Sequence, residues 1–341
     1  MQGREGQRLL EIKTIVQAKA KGLFEMRKNV SKEVVAIAAL VVISIFSYLF
    51  FSPVPDGSKF SIIVLPDTQK YSKDFPLVFS AQTQWIADNA DGLNIVFVSQ
   101  EGDIVDNWDS TEQWENADAA MRLLDGKVPY AVLPGNHDFS KQGDSSNYNK
   151  YFPVSRFDSF AWYGGSHPPG ENDNSFQLFS ASGIDFIALH LKYCPSADTI
   201  EWANNVLRTH SERRAIIVTH AYLGLDAERE VHSYNESNCG TGSNNTQYIW
   251  DELVYPNENV FLFLCGHVHG ETRRVDKNAA GKPVYQLLAD YQSGENGGNG
   301  WLRILEFSPA QNKIFVKTFS PYLNEFETDY DSQFELPLEA S

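Results

Sequence analysis

The chain has 341 residues and a formal net charge of −16, with 28 Lys and Arg against 44 Asp and Glu. A protein with this negative charge repels polyanions, and nucleic acid is therefore not expected as a partner. Bound cations could still hold a small phosphate ester. The length permits a large hydrophobic core. Three cysteines are too few for a disulfide framework.

The amino-terminal segment predicts a membrane anchor. Residues 34–51 form an uncharged stretch of 18 residues, about the length that a helix needs to cross a bilayer. Arg27, Lys28 and Lys32 precede it, so the positive-inside rule places the tail in the cytosol and the body on the extracytoplasmic side, whether periplasmic, lumenal or extracellular. A cleaved secretion signal and a buried core helix are the alternatives. The favoured division is a short basic cytosolic tail (1–33), a single-pass transmembrane signal anchor (34–52) and a linker (53–59).

From residue 60 onward, patterns of buried strands alternate with helical patterns. Continuous β-branched, aliphatic and aromatic runs are typical of strands covered on both faces, and they occupy residues 61–65, 95–98, 130–133, 215–218 and 260–264. Helices are predicted at 76–90 and after the capping pair Ser110 and Gln113. This alternation favours an α/β fold with largely parallel strands.

The second half of the chain adds strands of another kind. Residues 174–190 contain two strand patterns around Ser-Gly, which predicts a hairpin, and further strand patterns follow residue 284. That many strands favour two sheets packed face to face with helices outside. The Gly/Asn-rich stretch 293–300 predicts a mobile loop. Cys194 and Cys239 could pair in an oxidising compartment, whereas Cys265 is expected to be a buried thiol.

Five polar motifs follow the predicted strands, and together they indicate a centre for two divalent ions. Side chains just past the carboxyl ends of parallel strands meet at one edge of a sheet. Each motif alone is explained equally well by a turn or a helix cap, so the joint pattern carries the prediction. The motifs are Asp67-Thr68-Gln69, Gly102-Asp103-Ile104-Val105-Asp106, Gly135-Asn136-His137-Asp138, Thr219-His220 and Gly266-His267-Val268-His269.

The residue types suggest how two ions would be shared. Asp67 suits the first ion, and Asp103 suits a bridging position because a carboxylate has two oxygens. Asn136 offers a neutral amide oxygen to the second ion, for which His220 and His267 are the expected nitrogen ligands. His269 is expected on the first ion, because side chains two residues apart diverge in an extended turn.

His137 is expected to project over the site, outside the ligand shell. The carboxylate of Asp106, three residues after Asp103, could pair with it and favour the imidazolium, which would protonate the leaving oxygen of a phosphate ester. Bound ions would supply hydroxide as the nucleophile. We therefore predict His137 and Asp106 as the catalytic pair.

With these motifs the chain resembles the calcineurin-like metallophosphoesterases, whose signature runs D-x-H, G-D-x-x-D, G-N-H-[D/E], a lone His and G-H-x-H. The resemblance covers roughly residues 60–320 and four of the five blocks. It implies a metallophosphoesterase domain over 60–341, folded as a two-sheet α/β/β/α sandwich of the metallo-dependent phosphatase type. It implies the ligand and catalytic roles given above, with Mn, Fe or Zn as the ions.

The resemblance is strongest to a subgroup that reads D-T-Q in the first block and carries D-Y-Q and G-G-N-G-W near the end. The latter segments are residues 290–292 and 297–301 here, and the resemblance implies that Asp290, Gln292 and Trp301 line the pocket.

Gln69 stands where the family has a first-block histidine. An amide oxygen is a harder and weaker donor than imidazole for a transition metal. Gln69 could ligate through oxygen, hold a water, leave the first ion loosely bound, or only cap a turn. Arg273 and Arg274, which follow the last motif, could reach a phosphate or form a solvated turn.

The expected function is hydrolysis of a small phosphorylated substrate. Phosphomonoesterase activity is favoured because no separate domain for a polymer is visible. Phosphodiesterase or pyrophosphatase activity on the same centre is the alternative, as is a non-catalytic metal-binding ectodomain disabled by loss of the first-block histidine. The His137 and Asp106 pair favours an enzyme.

Overall fold

The computed structural model describes residues 58–140, 143–229 and 246–339, and its strands form two sheets. The strands are β1 (Phe60–Leu65), β2 (Ile95–Gln100), β3 (Tyr130–Ala131), β4 (Tyr163–His167), β5 (Asn174–Ala181), β6 (Ile184–Leu191), β7 (Arg214–Thr219), β8 (Val260–Cys265), β9 (Gly270–Lys277), β10 (Pro283–Asp290), β11 (Leu302–Ser308), β12 (Lys313–Ser320), β13 (Glu325–Glu327) and β14 (Gln333–Pro337). The α-helices are α1 (Gln69–Asp74), α2 (Pro76–Asn89), α3 (Thr111–Met121), α4 (Ser146–Tyr151), α5 (Ala197–Thr209) and α6 (Thr246–Ile249), the last continued by a π-helical turn (Trp250–Val254).

Both sheets are mixed and contain seven strands. The first has the order β13-β12-β11-β1-β2-β3, with β14 also pairing with β12, and the second has the order β4-β5-β6-β7-β8-β10-β9. Strands β1, β2 and β3 are parallel to one another, as are β6, β7, β8 and β10. The five predicted motifs follow β1, β2, β3, β7 and β8, so they all leave parallel strands at the carboxyl end.

Hydrophobic packing on both faces explains the uninterrupted apolar runs. In β1, Ile62 and Val64 pack between the two sheets, whereas Ile63 and Leu65 pack under the helices of the first sheet. A third cluster joins the outer face of the second sheet to α5 and the 249–254 turn. The predicted α/β/β/α sandwich is therefore the fold of the described residues.

The predicted tail, anchor and most of the linker lie outside the described residues, as does Cys239. Within the described ranges, no helix is sufficiently long and apolar to span a bilayer. Cys194 is disulfide-bonded, and Cys265 is a free, buried thiol, as expected for the latter.

The predictions of individual helices, hairpins and caps are confirmed in part. Helix α2 and the hairpin of β5 and β6 lie where they were predicted. Ser110 caps α3 by accepting a hydrogen bond from the Gln113 amide at 3.4 Å. The Gln113 side chain does not complete the capping box, however, because its Oε1 accepts from the backbone amides of Asp106 and Asn107 instead.

The prediction of a mobile loop at 293–300 is wrong for its second half, which packs tightly against α1. Residues 296–300 all have positive φ, and Gly297 and Gly298 are buried. A Cβ on Gly297 would stand 2.8 Å from Cβ of Lys70, and one on Gly298 would stand 2.5 Å from the Tyr291 carbonyl oxygen. The glycines therefore permit a left-handed backbone in close contact with the helix that begins at Gln69.

His190 makes the stability of the fold pH-dependent. Its Nε2 lies 2.9 Å from Ser99 Oγ of the first sheet, its Nδ1 has no hydrogen-bond partner among the described residues, and burial lowers its pKa from 6.5 to about 3. The unfolded chain thus takes up a proton below pH 6.5 that the folded protein refuses until about pH 3. Between these values the free energy of unfolding falls by roughly 1.4 kcal/mol for each unit of decreasing pH.

We expect His190→Gln to lose this dependence. Urea unfolding at pH 7 and pH 4.5, with EDTA present, should show a loss of stability on acidification that is about 2.5 kcal/mol smaller in the variant than in the wild type. His210→Gln serves as the control, since His210 is only partly buried, against the Phe176 ring. Equal acid sensitivity of wild type and His190→Gln would contradict the prediction.

Candidate metal centre

Four predicted ligands of the second ion already converge. His220 Nε2 lies 3.0 Å from Asn136 Oδ1, 3.1 Å from His267 Nδ1 and 3.3 Å from Asp103 Oδ1. Ligand atoms held about 2.1 Å from one ion lie about 3.0 to 3.4 Å from their neighbours, so these spacings fit a single ion. Imidazole, carboxylate and amide oxygen form a donor set suited to Zn, Mn or Fe.

A hydrogen bond determines which nitrogen of His220 is available to the second ion. Its Nδ1 lies 3.0 Å from the carbonyl oxygen of Glu101 and donates to it, which leaves the lone pair of Nε2 for an ion. Burial lowers the pKa of His220, but the Asp103 carboxylate outweighs burial and raises it. In turn, burial raises the pKa of Asp103, and His220 more than offsets this, giving about 2. Asp103 is therefore the ionised carboxylate of the centre.

His267 behaves as a neutral ligand. Burial, followed by the nearby His220, lowers its pKa to about 3. A neutral imidazole is the form that binds a metal ion. The backbone of His267 is left-handed, with φ of +70°, and its amide donates to Asp67 Oδ1 at 3.2 Å.

The glycines of two motifs leave room for the ligands. A Cβ on Gly135 would overlap both Oδ1 and the backbone nitrogen of Asp103, and a Cβ on Gly266 would overlap Oδ1 of Asp67. A cradle that a methyl group would fill is consistent with a site built for an ion rather than with ordinary turns.

The predicted ligands of the first ion are less closely assembled. Asp67 is buried, and its Oδ2 accepts from Gln292 Nε2 at 2.9 Å. Gln69 donates through Nε2 to Asp103 Oδ2 at 2.7 Å, and its buried Oε1 has no hydrogen-bond partner in the described part of the chain. His269 is exposed, with its Nε2 3.8 Å from Asp290 Oδ2.

His137 lies beside these ligands, but its predicted contact with the Asp106 carboxylate is wrong. The imidazole Nδ1 instead contacts the backbone carbonyl oxygen of Asp106 at 2.8 Å. The Asp106 carboxylate forms ion pairs with Lys70 and with Lys73, the latter at 2.6 Å. Although burial raises the pKa of Asp106, these lysines lower it overall. Asp106 therefore orients His137 through its backbone, while its side chain joins the motif to α1.

Asp138 is a functional residue that the sequence reasoning left without a role. Its buried carboxylate accepts from the backbone amides of Ile104 and Val105 at 2.9 Å and of Gly135 at 2.8 Å. It thus ties the loop of Asp103 to the loop of Asn136. Burial and the neighbouring Asp103 raise its pKa to about 7. The sequence feature that could have indicated a role for Asp138 is its place as the acidic fourth residue of the Gly-Asn-His-Asp motif.

The two arginines after the last motif are engaged elsewhere. The Arg273 guanidinium stacks on Tyr330 and Phe334, 4.0 Å from each ring centroid. Arg274 forms ion pairs with Asp276 and Glu228. These contacts give both residues structural roles in β9 and its surroundings.

A family model for calcineurin-like phosphoesterases matches residues 60–271, which include every predicted ligand. The chain belongs to the calcineurin-like phosphoesterase family. Members of this family work with two metal ions, and the cluster of Asp103, His220 and His267 is a potential metal-binding group. Membership was predicted from the motifs and is confirmed.

Two curated proteins are similar to this calcineurin-like phosphoesterase chain. The uncharacterized protein YvnB of Bacillus subtilis (strain 168) is 39% identical over 296 residues, which are 83% of this chain and 22% of that protein. Purple acid phosphatase 15 of Arabidopsis thaliana is 26% identical over 195 residues, which are 55% of this chain and 32% of that protein. The chain thus spans less than a third of either relative.

Among solved structures, purple acid phosphatase PPD1 from yellow lupin (Lupinus luteus) seeds is similar in fold. The TM-score is 0.53 at 14% sequence identity, and the match covers 83% of this chain and 54% of the lupin chain. At that identity the likeness supports the fold alone, and it agrees with two mixed sheets flanked by helices.

The crowding at Gly135 gives a test of the metal centre. We expect Gly135→Ala to weaken Mn²⁺ binding at least tenfold, since the new methyl group displaces the Asp103 carboxylate. Gly92→Ala is the matched control, because the nearest atom to its Cβ is the Asn89 carbonyl oxygen at 4.0 Å. Titration calorimetry and elemental analysis would measure binding, and equal affinities of the two variants would contradict the proposed site.

Proposed function

We propose that the chain hydrolyses small phosphate monoesters with two divalent ions. The observation that carries this proposal is the convergence of Asp103, Asn136, His220 and His267 on one point beside His137. Asp67 and His269, with Asp103 shared, would hold the other ion. When bound, such ions neutralise phosphoryl oxygens and lower the pKa of water.

His137 is suited to deliver a proton to the ester oxygen that leaves. Because Nδ1 donates to the Asp106 carbonyl, the ring is held in one orientation and Nε2 is the nitrogen left for substrate. The backbone amide of His137 also donates to Asp103 Oδ1 at 2.9 Å, which fixes its distance from the ligands. General-acid assistance of this kind contributes about 10²- to 10⁴-fold to a rate.

Charge beside His137 favours a doubly negative phosphate group. Lys70 and Lys73 share the single carboxylate of Asp106, so this cluster of three side chains has one positive charge in excess beside the buried carboxylates of the site. Both lysines are partly exposed. The electrostatic attraction of these lysines is stronger for a monoester dianion than for a diester monoanion.

The space next to His137 favours a small leaving group. A cleft of about 280 Å³ is lined by His137 and Asn136, by the aromatic rings of Trp108 and Phe139, and by the polar Asn107 and Ser140. This volume is just below the range of ordinary ligand pockets, roughly 300 to 1,000 Å³. A compact organic group fits it better than a polymer.

The leaving group provides the sharpest test of the role of His137. We expect His137→Ala to reduce kcat on phenyl phosphate about 10²-fold or more, but on p-nitrophenyl phosphate much less, because nitrophenolate departs without a proton. The rates are measured with Mn²⁺, Fe²⁺ or Zn²⁺ added, beside Asp103→Ala, which should abolish both activities, and His210→Ala, which should leave both unchanged.

Two outcomes would contradict the proposal. Faster turnover of bis(p-nitrophenyl) phosphate than of the monoester would identify a diesterase. Binding of ions without turnover of either ester would identify a metal-binding ectodomain.

We also propose that the domain is exported and held at a membrane by residues 34–52, with the tail 1–33 in the cytosol. The basic flank before the apolar stretch supports this, and so does the disulfide at Cys194, because disulfides persist in oxidising compartments. In bacterial cells that express the full chain, protease added to spheroplasts, from which the outer membrane has been opened, should degrade the phosphoesterase domain, and the domain should sediment with membranes. Replacing Arg27, Lys28 and Lys32 by Glu should reduce this accessibility. A protected domain in the soluble fraction would contradict export and anchoring.

A further inference from the structure

The first ion lacks the imidazole that the family supplies from position 69. Gln69 directs its amide nitrogen, not its oxygen, at the carboxylate of Asp103. Its Oε1 is left buried without a partner among the described residues, which is an unfavourable state for a polar atom. An unpartnered oxygen on the same amide group points to a bound ion or its water close by.

Asp290 brings an additional carboxylate to this position. Strand β10 pairs in parallel with β8 so that Leu288 is opposite Cys265. Asp290 follows Leu288 by two residues, just as His267 follows Cys265, and the two ends therefore emerge side by side. Asp290 is 1% exposed, yet its Oδ2 is directed toward His269 Nε2.

The spacing of Asp290 and His269 suits an ion between them. Their closest atoms are 3.8 Å apart, which is too long for an N–H···O hydrogen bond. Two ligands of one ion with bond lengths of about 2.1 Å lie about 3.0 to 4.2 Å apart, depending on the angle between them.

Gln292 holds Asp290 and Asp67 together. Its Nε2 donates to Asp67 Oδ2 at 2.9 Å and to Asp290 Oδ2 at 3.1 Å, and its backbone amide donates to Asp290 Oδ1 at 2.9 Å. Oδ2 of Asp67 and Oδ2 of Asp290 contact the same nitrogen atom, so these two oxygens lie close together. One amide group thereby orients two buried carboxylates toward the same space.

We propose that Asp290 is a ligand of the first ion and takes the place of the missing imidazole. The first ion is then held by Asp67, Asp103, His269 and Asp290. Gln69 is a positioning residue that holds the bridging carboxylate of Asp103. This inference rests on the proposed two-ion centre but not on the reaction.

A ligand swap tests the inference by metal content instead of turnover. The full chain and its variants are loaded with Mn²⁺, separated from free ions, and analysed for Mn per chain and for the spin coupling of paired Mn²⁺ ions. We expect two coupled ions in the wild type, one in Asp290→Asn, and two again in the double variant Gln69→His/Asp290→Asn. The first ion should bind at least about 100-fold more weakly in Asp290→Asn than in the wild type.

Melting in EDTA separates a ligand from a framework residue. Removing the charge of Asp290 relieves its repulsion with Asp67, so Asp290→Asn without metal should melt at or above the wild-type temperature. Asp173→Asn is the matched buried control, because Asp173 bonds to Ser145 and Asn149. It should melt lower but still bind two ions.

Several results would overturn the inference. These are two ions with unchanged affinity in Asp290→Asn, one ion in the double variant, one ion in the wild type, or failure of Asp290→Asn to fold. A wild type that binds two coupled ions without turning over any ester would leave the inference standing and would remove the proposed enzymatic function.

Discussion

Buried negative charge at one edge of the sandwich is the constraint on which the rest of the structure depends. Asp67, Glu101, Asp103, Asp138 and Asp290 are each at most 3% exposed. Burial raises the pKa of Asp67, Glu101 and Asp290, and that of Asp138 to about 7, and repulsion from Asp290 and Asp103 adds to the rise at Asp67. Only Asp103 moves in the opposite direction, because His220 faces it. Carboxylates buried so close together are stabilised by cations, so we expect metal binding and folding to be linked here.

The loops that carry the ligands are held in an unfavourable backbone conformation by other carboxylates. Asp103 has φ of +49° and His267 has φ of +70°, and left-handed residues with a side chain cost about 1–3 kcal/mol each. Asp138 offsets this for Asp103 by accepting from the next two amides, and Asp67 accepts from the amide of His267. The same acidic residues therefore repel one another and supply the hydrogen bonds that fix the site.

Patterns local in the sequence predicted the strands and the ligands, because both depend on a residue and its neighbours. The run 61–65 is apolar throughout since β1 is covered on both faces, and each ligand follows directly after such a strand. The partner of Asp106 could not be predicted in this way. Lys70 and Lys73 lie on one face of α1, and their contact with Asp106 depends on where that helix packs.

The prediction of a mobile loop at 293–300 failed for a related reason. A high content of glycine indicates that the unfolded chain can adopt many conformations. In the folded protein the glycines adopt left-handed conformations in contact with α1. Likewise, the D-Y-Q segment implied that Asp290 lines the pocket, but its position beside the last histidine motif follows from the pairing of β10 with β8, which is a property of strand order.

The two ion positions differ in how completely the protein prepares them. Donors for the second ion already lie about as far apart as coordination requires, and His220 is fixed by the Glu101 carbonyl. At the first position His269 is exposed, and Gln69 donates to the Asp103 oxygen that an ion would otherwise share. An ion there must compete with that hydrogen bond and order an exposed imidazole, so it binds more weakly. We therefore expect the second ion of the proposed centre to contribute most to stability, and occupancy of the first position to follow the supply of metal.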